Sequence, residues 1–496
     1  MLKYISKCSN IGKLMIIIGI CVLIPILTIP FYPAESQYLL SFIIPSLLSI
    51  ILGCLLCFCL KKNDDNERLE EHITLRRSSL TVLFAWFWAI LIGSLPFIFG
   101  MKLSVIQGLF EAVSGWTTTG LSVVDVTKTP KVFLFHRSFM QYCGGLGLIL
   151  MMIILVSSKS SMDLYNAEGH PDKIMPNLKK TARTIFIVYS VCLLFGVLAY
   201  IIAGMEFFDA ICHTMCSLST GGFSTKLNSL GEYNSLAIEI ITIVLMLIGT
   251  TNFVALLLIA KGQFKKFGKV SEIRFLGILL LIFIPVTALI LMDWFDIGFF
   301  KALRMSAFDV PSALSTSGFS TMSYALWPPM GVAILILLML IGGGFGSTAG
   351  GIKLTRIYLM IRVAFSNIKK RIFTRNKVNT QYYESVQGKQ EINNDLVSET
   401  FAFIGTYLII YVLGVLGIMF TANCGLMEAM FEFASSLSTV GLSIGITGPT
   451  TNSATLIIEM IGMILGRLEI FIVFVGIFTG LGWIKDLFKK KDIVNK

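Results

Sequence analysis

Four short stretches rich in Ser, Thr and Gly hold the residues best suited to chemistry: SGWTTTGLSV at 114–123, CSLSTGGFST at 216–225, SALSTSGFST at 312–321 and SSLSTVGLSI at 435–444. Aligned on one glycine, they share Gly120, Gly222, Gly318 and Gly441, spaced by 102, 96 and 123 residues. A threonine stands two positions before each glycine (Thr118, Thr220, Thr316, Thr439) and a serine two positions after it (Ser122, Ser224, Ser320, Ser443). An apolar residue lies between glycine and serine: Leu121, Phe223, Phe319 and Leu442. Oxygen-rich loops of this kind suit one task above others, the replacement of water around a bare cation. Glycine takes φ > 0 without steric penalty, so successive carbonyls can turn toward one axis. The candidate cation-binding residues are Thr118, Thr119, Gly120, Thr220, Gly221, Gly222, Thr316, Ser317, Gly318, Thr439, Val440 and Gly441. One Thr-x-Gly-x-Ser is a common loop; four copies at a period of about a hundred residues are a repeat.

The elements that position these loops follow from the solvent. Hydrophobic residues make up 55% of the chain, charged residues 14%, and mean hydropathy is +0.81, which places the chain among integral membrane proteins. Ten apolar runs have spanning length, near 12–32, 38–60, 78–100, 132–156, 182–204, 235–260, 273–295, 331–354, 399–421 and 452–482. Runs this long predict helices rather than a barrel, and the first reads as a retained helix rather than a removed signal. Before each motif lies a segment too short to span, at 106–116, 207–218, 302–314 and 427–437, long enough for a half-helix. The expected fold is an all-α polytopic membrane protein. Four pseudo-repeats of span, re-entrant pore half-helix, filter loop and span surround a central pore, with two extra N-terminal spans. The corresponding domains are 1–62 (two N-terminal helices), 63–160, 161–262, 263–377 (containing a broken helix) and 378–496 (with the cytoplasmic tail).

Irregular backbone survives at membrane depth only where it is buried in protein or lines a wet cavity, and four loops around one axis meet that demand. The half-helices would aim their partially negative C-terminal ends at the same cavity. Glu111, Asp209, Asp309 and Glu432 lie within them. These carboxylates either add to a cation-favouring field or hydrogen-bond neighbouring backbone.

Charge sets the orientation. Of the 40 Lys and Arg, 32 fall in the N-terminus, the segments 61–77, 157–183, 261–274 and 353–389, and the C-terminus. Both termini are therefore expected in the cytoplasm. The net charge of +11 is accounted for by this topology and by anionic lipid headgroups, with no call for nucleic acid. Ten scattered cysteines read as reduced packing residues. An enzyme is disfavoured: His72, His136, His170 and His213 form no H-E-x-x-H, and Cys212, His213 and Cys216 have no further zinc ligands nearby. An anchor or scaffold would not require four matched polar loops. Ion permeation is the reading that uses them.

A second unusual stretch is GGGFGSTAGG at 342–351, which sets Gly342, Gly343, Gly344, Gly346, Ser347, Thr348, Gly350 and Gly351 inside the eighth apolar run. Six glycines in ten residues cannot hold a stable helix. The Gly-Lys-Ser/Thr ending of a phosphate-binding loop is absent, and close helix crossing by small residues would need spaced glycines. Arg467, midway along the tenth run, needs a partner because an unpaired charge there costs about 2.5–3.5 kcal/mol on insertion scales. Glu469 faces elsewhere on a helix, leaving exposed carbonyls of the broken loop or a group on another helix. Arg137 and Gln141, one turn apart in the fourth run, read as a structural pair.

The chain resembles the bacterial potassium-uptake subunits of the TrkH and KtrB type, related to plant HKT transporters. The resemblance runs from the first span to the last. Besides the four loops it rests on LRRSSLTVLFAWFWAILIGSLPF at 75–97, FHRSFMQYCGGLGLILM at 135–151, IGGGFGSTAGGIKLTR at 341–356 and GRLEIF at 466–471. The extra N-terminal pair of spans is similar to the TrkH branch. The resemblance implies a potassium transporter, channel-like or a symporter, of the bacterial cytoplasmic (inner) membrane, with potassium as substrate and no covalent cofactor. It further implies a selectivity glycine at all four positions, Gly120 among them, where family members carrying serine favour sodium. The Gly342–Gly351 break becomes a gate beneath the filter, with Arg467 near it. The resemblance also implies a homodimer and a separate cytoplasmic nucleotide-binding subunit of the TrkA type. Lys369, Lys370, Arg371, Arg375 and Lys377 could dock such a partner, although positive-inside topology or lipid headgroups explain the same residues. The segment from Lys353 to about Ser398 has no strand-like runs and no G-x-G-x-x-G, so it cannot supply a dinucleotide-binding domain itself.

Overall fold

The computed structural model describes residues 9–60, 75–148, 150–151, 178–372 and 381–494. The domain boundaries near 62, 160 and 377 lie outside these residues, as do His72, His170, Arg375, Lys377 and most of the expected cytoplasmic segments 61–77 and 157–183.

The protein is a predominantly helical, polytopic membrane protein. Six helices among the described residues are long and apolar enough to cross a bilayer: Ile11–Phe31, Pro33–Phe58, Ser79–Gly100, Ala182–Ile202, Ser271–Phe295 and Asn394–Ala422. Their outward faces carry large exposed apolar side chains such as Leu281, Ile202 and Phe420. Such faces suit a hydrocarbon solvent.

The other four runs are not the continuous spans that apolar content alone predicts. The fourth stops as a helix at Leu146, where Gly147 takes φ 87°. The sixth bends by 113° between Leu236–Thr250 and Phe253–Ala260, and the tenth by 103° between Ser453–Arg467 and Ile470–Gly482. The eighth ends at Ile341, and its chain resumes as a helix only at Leu354. The sixth and tenth breaks contain neither Gly nor Pro. At the sixth, Asn252 caps the new helix by accepting from Val254 N–H at 2.7 Å. The carbonyls freed at the preceding helix end are taken up by the glycine-rich stretch: Thr348 N–H donates to Gly249 O at 3.2 Å and Gly344 N–H to Thr250 O at 3.0 Å. At the tenth, Glu469 adopts φ 56°.

Four short helices, Val105–Trp116, Phe207–Leu218, Phe299–Leu314 and Leu426–Leu437, precede the Ser/Thr/Gly loops. Each is amphipathic with a largely buried second half. Ser104 starts the first with a capping box, accepting from Gln107 N–H while the Gln107 side chain accepts from Ser104 N–H.

The expectation of no strands between Lys353 and Ser398 is corrected. Tyr382–Ser385 and Gly388–Glu391 form an antiparallel hairpin, with Ser385 opposite Gly388. Gly388 takes φ 114° at the end of a two-residue turn. The strands lack apolar alternation because neither face is buried. Cross-strand contacts hold them instead, Tyr383 Oη donating to Gln390 at 2.7 Å and the Lys389 ammonium lying 4.3 Å from the Tyr382 ring centre.

Candidate functional site

Each short helix ends the same way. Thr118, Thr220, Thr316 and Thr439 all take positive φ, between 52° and 56°. The next residue's N–H reaches back five positions: Thr119 to Ser114 O, Gly221 to Cys216 O, Ser317 to Ser312 O and Val440 to Ser435 O, at 2.8 to 3.0 Å. The threonine N–H groups bond three positions back, all at 3.2 Å. This is a Schellman termination with a β-branched residue where glycine is the usual choice. A left-handed non-glycine residue costs roughly 1–2 kcal/mol, and such strain, repeated four times, marks a position where the side chain itself is needed.

The hydroxyls show the need. Thr220 Oγ1 lies 3.0 Å from Thr348 Oγ1, and Thr316 Oγ1 accepts from Gly350 N–H at 2.8 Å. Thr118 Oγ1 and Thr439 Oγ1 are buried with no protein hydrogen-bond partner.

Two residues on, Gly120, Gly222, Gly318 and Gly441 again take positive φ, 74° to 97°. A β-carbon on each would fall 2.0 to 2.2 Å from a carbonyl oxygen of the next loop: Gly120 against Gly221, Gly222 against Ser317, Gly318 against Val440, and Gly441 against Thr119. The order is cyclic, so the four loops close into one ring. All twelve candidate cation-binding residues lie in this ring. Its four glycines line a cavity of about 820 Å³ together with Ser122, Ser320, Ser443 and Lys226.

The half-helix carboxylates are brackets for the loops. Glu111 accepts from Ser122 Oγ at 2.7 Å and Val123 N–H at 2.6 Å and pairs with Arg137 at 3.0 Å. Asp209 accepts from Thr225 at 2.7 Å and Tyr233 at 2.8 Å, with Lys226 at 3.3 Å. Asp309 accepts from the Thr321 and Tyr324 hydroxyls at 2.7 and 2.8 Å. Glu432 accepts from Ser443 at 2.7 Å and Ile444 N–H at 3.1 Å. Of the two sequence alternatives, local hydrogen bonding is what the geometry displays. His213 takes part in the same way, its ring nitrogens meeting Asp209 O at 2.8 Å and Ser224 Oγ at 2.9 Å.

The stretch Gly342–Gly351 sits against the threonine side of the ring. Besides its bonds to Thr220 and Thr316, Thr348 donates to Gly249 O at 2.9 Å. A β-carbon on Gly350 would meet Ser438 O and the Thr439 hydroxyl. Arg467 donates through Nη1 to Thr348 O and through Nη2 to Gly144 O. It thus ties the stretch to the broken end of the fourth run, using the loop carbonyls that sequence reasoning named. Glu469 faces away from it and pairs with Arg356 at 2.8 Å.

Several contributors have roles that no local signal in the sequence announced. Gln141 donates to Gly221 O at 2.5 Å and accepts from Phe223 N–H at 3.2 Å, holding the second loop. Arg137 turns to Glu111 and lies 4.0 Å from the Phe223 ring centre, so the expected Arg137–Gln141 pair serves the ring through two separate sets of contacts. Glu272 accepts from Phe345 N–H at 3.1 Å, and Lys353 Nζ donates to Ala349 O. Only their position in the fold reveals them.

A helical membrane protein with four half-helices converging on a ring of backbone oxygens belongs to the class of ion-transport proteins. Comparison with known families makes this specific. Residues 46–478 match the family described as TrkH, cation transport protein. The chain is 31% identical over 425 residues to the Trk system potassium uptake protein TrkH of Vibrio parahaemolyticus, covering 82% of this chain and 86% of that protein. It is 29% identical over 464 residues to the uncharacterized cation transporter MJ1485 of Methanocaldococcus jannaschii, covering 93% and 92%. The crystal structure of the potassium transporter TrkH from Vibrio parahaemolyticus superposes with a TM-score of 0.83 at 27% identity, covering 95% of this chain and 98% of that one. The chain belongs to the TrkH cation transport family, and it is a transporter, not an enzyme.

Proposed function

We propose that the protein carries potassium into the cell across the cytoplasmic membrane, both termini inside, through a filter made of Thr118, Thr119, Gly120, Thr220, Gly221, Gly222, Thr316, Ser317, Gly318, Thr439, Val440 and Gly441. The observation that supports this best is the cyclic packing of each filter glycine on the next loop's carbonyl. It sets a backbone carbonyl oxygen of each loop against the glycine of the loop before it. Four buried threonines stand beneath, two of their hydroxyls without a protein partner, as suits oxygens kept for a dehydrated cation. Curated relatives are named as potassium uptake proteins of the Trk system.

The stretch from Gly342 to Gly351 acts as the gate, with Arg467 as its latch. It is hydrogen-bonded to two filter threonines on one side and runs directly into the helix Leu354–Ile372 on the other. That helix carries exposed Lys369 and Arg371 at its far end. A cytoplasmic nucleotide-binding regulator of the TrkA type docks there and pulls on the gate, and the transporter works as a homodimer. The filter loops divide the chain into the units 63–160, 161–262, 263–377 and 378–496 behind an N-terminal pair of helices at 1–62.

The decisive experiment is rubidium uptake into liposomes holding the purified protein, at clamped voltage and pH. Uptake above that of empty liposomes supports a conduit, and its response to a pH gradient at fixed voltage separates a proton symporter from a channel. No uptake with or without a regulator refutes the reading.

A further inference from the structure

The fourth loop has a second buried acid behind its bracket. Glu459, on the helix Ser453–Arg467, is fully buried, as is Glu432. Thr447 Oγ1 touches both, Glu432 Oε1 on one side and Glu459 Oε1 at 2.8 Å on the other. A threonine hydroxyl has one hydrogen and so can donate to one of the two. Glu432 already accepts from Ser443 Oγ, Ile444 N–H and Thr447 N–H, the last at 2.9 Å. That is the environment of an ionised carboxylate. The contact between Thr447 and Glu459 then requires a hydrogen on Glu459. The other oxygen of Glu459, Oε2, is buried without any partner, an arrangement tolerable for a neutral acid and costly for an anion.

Among the described residues neither carboxylate has an ion-pair partner, unlike Glu111 with Arg137 or Asp209 with Lys226. The titratable groups on the elements packed around Glu459 are engaged elsewhere. Glu111 holds Arg137, Glu428 accepts from Gly425 N–H, and Tyr407 and Tyr411 bond Ser438 and Met430 O. Arg467 bonds Thr348 O and Gly144 O, and Glu469 pairs with Arg356. Asp395 and Glu399 lie exposed at the beginning of the span Asn394–Ala422. Thr447 itself lines the 820 Å³ cavity above the ring, with Ser443, Gly448 and Pro449.

We propose that Glu459, Thr447 and Glu432 form a proton-binding site that opens to the outer cavity and sets the conformation of the fourth filter loop. A proton arriving at Thr447 Oγ1 displaces the hydroxyl's own hydrogen onto Glu459 Oε1, and loss runs the same route backwards, so no atom is gained beyond the proton bound. With Glu459 neutral, Thr447 donates to Glu432 and residues 443–447 stay bracketed. With Glu459 ionised, two buried negative charges compete for one hydroxyl, and the bracket loosens.

Infrared spectroscopy of the full-length protein in liposomes tests the site without reference to transport. Wild type at neutral pH should show the carbonyl band of a protonated carboxylic acid. It should shift when the outer buffer is exchanged into D2O, shift more slowly in Thr447→Val, and lose the Glu459 component in Glu459→Gln. Absence of such a band in wild type, or an unchanged band in folded Glu459→Gln, overturns the proposal. The functional half rests on the filter reading above and has its own readout. The rubidium-over-sodium flux ratio should fall roughly tenfold as outer pH is raised, the scale of one added charge near the filter, and stay constant in Glu459→Gln. A wild-type ratio independent of outer pH overturns the coupling to the filter, whatever the spectra show.

Discussion

The carbonyl oxygen of Val440 occupies the space a β-carbon on Gly318 would take, 2.0 Å from its ideal position. Any side chain at Gly318 must therefore push the fourth loop aside, on a backbone already at φ 76° that L-residues rarely adopt. The same holds around the ring. Single Gly→Ser changes at Gly120, Gly222, Gly318 or Gly441 should lower the rubidium-over-sodium flux ratio by about tenfold or more, the equivalent of ~1.4 kcal/mol. With a single glycine per loop, wild type itself should pass sodium measurably. If all four variants keep wild-type ion ratios in liposome flux assays, the filter assignment fails.

Arg467 joins Thr348 O to Gly144 O, and hydrogen bonds from charged donors contribute about 1.5–3 kcal/mol each. Removing them in Arg467→Ala should raise resting rubidium flux by roughly ten- to a hundredfold. Deleting 345–349 should do the same. Arg467→Lys, which keeps the charge but loses the forked geometry, should fall between. Reduced flux in both the alanine variant and the deletion, with normal expression and monodispersity, would give Arg467 a purely structural role.

Glu111 and Arg137 form a fully buried ion pair at 3.0 Å. Breaking one partner of such a pair typically costs about 3–5 kcal/mol. Glu111→Gln and Arg137→Gln should each lower the midpoint of thermal unfolding in detergent, and the double variant should lose much less than the sum of the two. Simple additivity in that cycle would show that the two side chains act independently.

The helix Leu354–Ile372 links the stretch Gly342–Gly351, the proposed gate, to exposed Lys369 and Arg371. Reconstitution with a TrkA-type subunit should make rubidium flux depend on adenine nucleotides, and the dependence should weaken when Lys369 and Arg371 are changed to Glu, through weakened docking. Flux identical with and without the subunit at every nucleotide concentration, together with no co-purification, would leave this chain a self-contained transporter.

Much of the site was legible because its sequence signal is repeated. The half-helices were expected at 106–116, 207–218, 302–314 and 427–437, and the structure has Val105–Trp116, Phe207–Leu218, Phe299–Leu314 and Leu426–Leu437. Three features left no local trace. Threonine is a poor candidate for positive φ, so Thr118 and its counterparts looked like ordinary loop residues. The sixth and tenth runs are apolar through their breaks, and the bend near Thr251 depends on Gly344 and Thr348, about a hundred residues away, whose N–H groups donate to the freed carbonyls. The role of Gln141 depends on the second loop folding back over it. Each is a tertiary decision taken against local preference.

The cyclic packing of the ring also bears on how such a chain can diverge. The glycine turn of each loop is not settled by that loop alone, since each glycine's space is bounded by the backbone of its successor and each carbonyl is received by its predecessor. A mutation that suits one loop is therefore judged by the loop beside it, and drift in one quarter of the chain is admissible only where the adjoining quarter drifts with it.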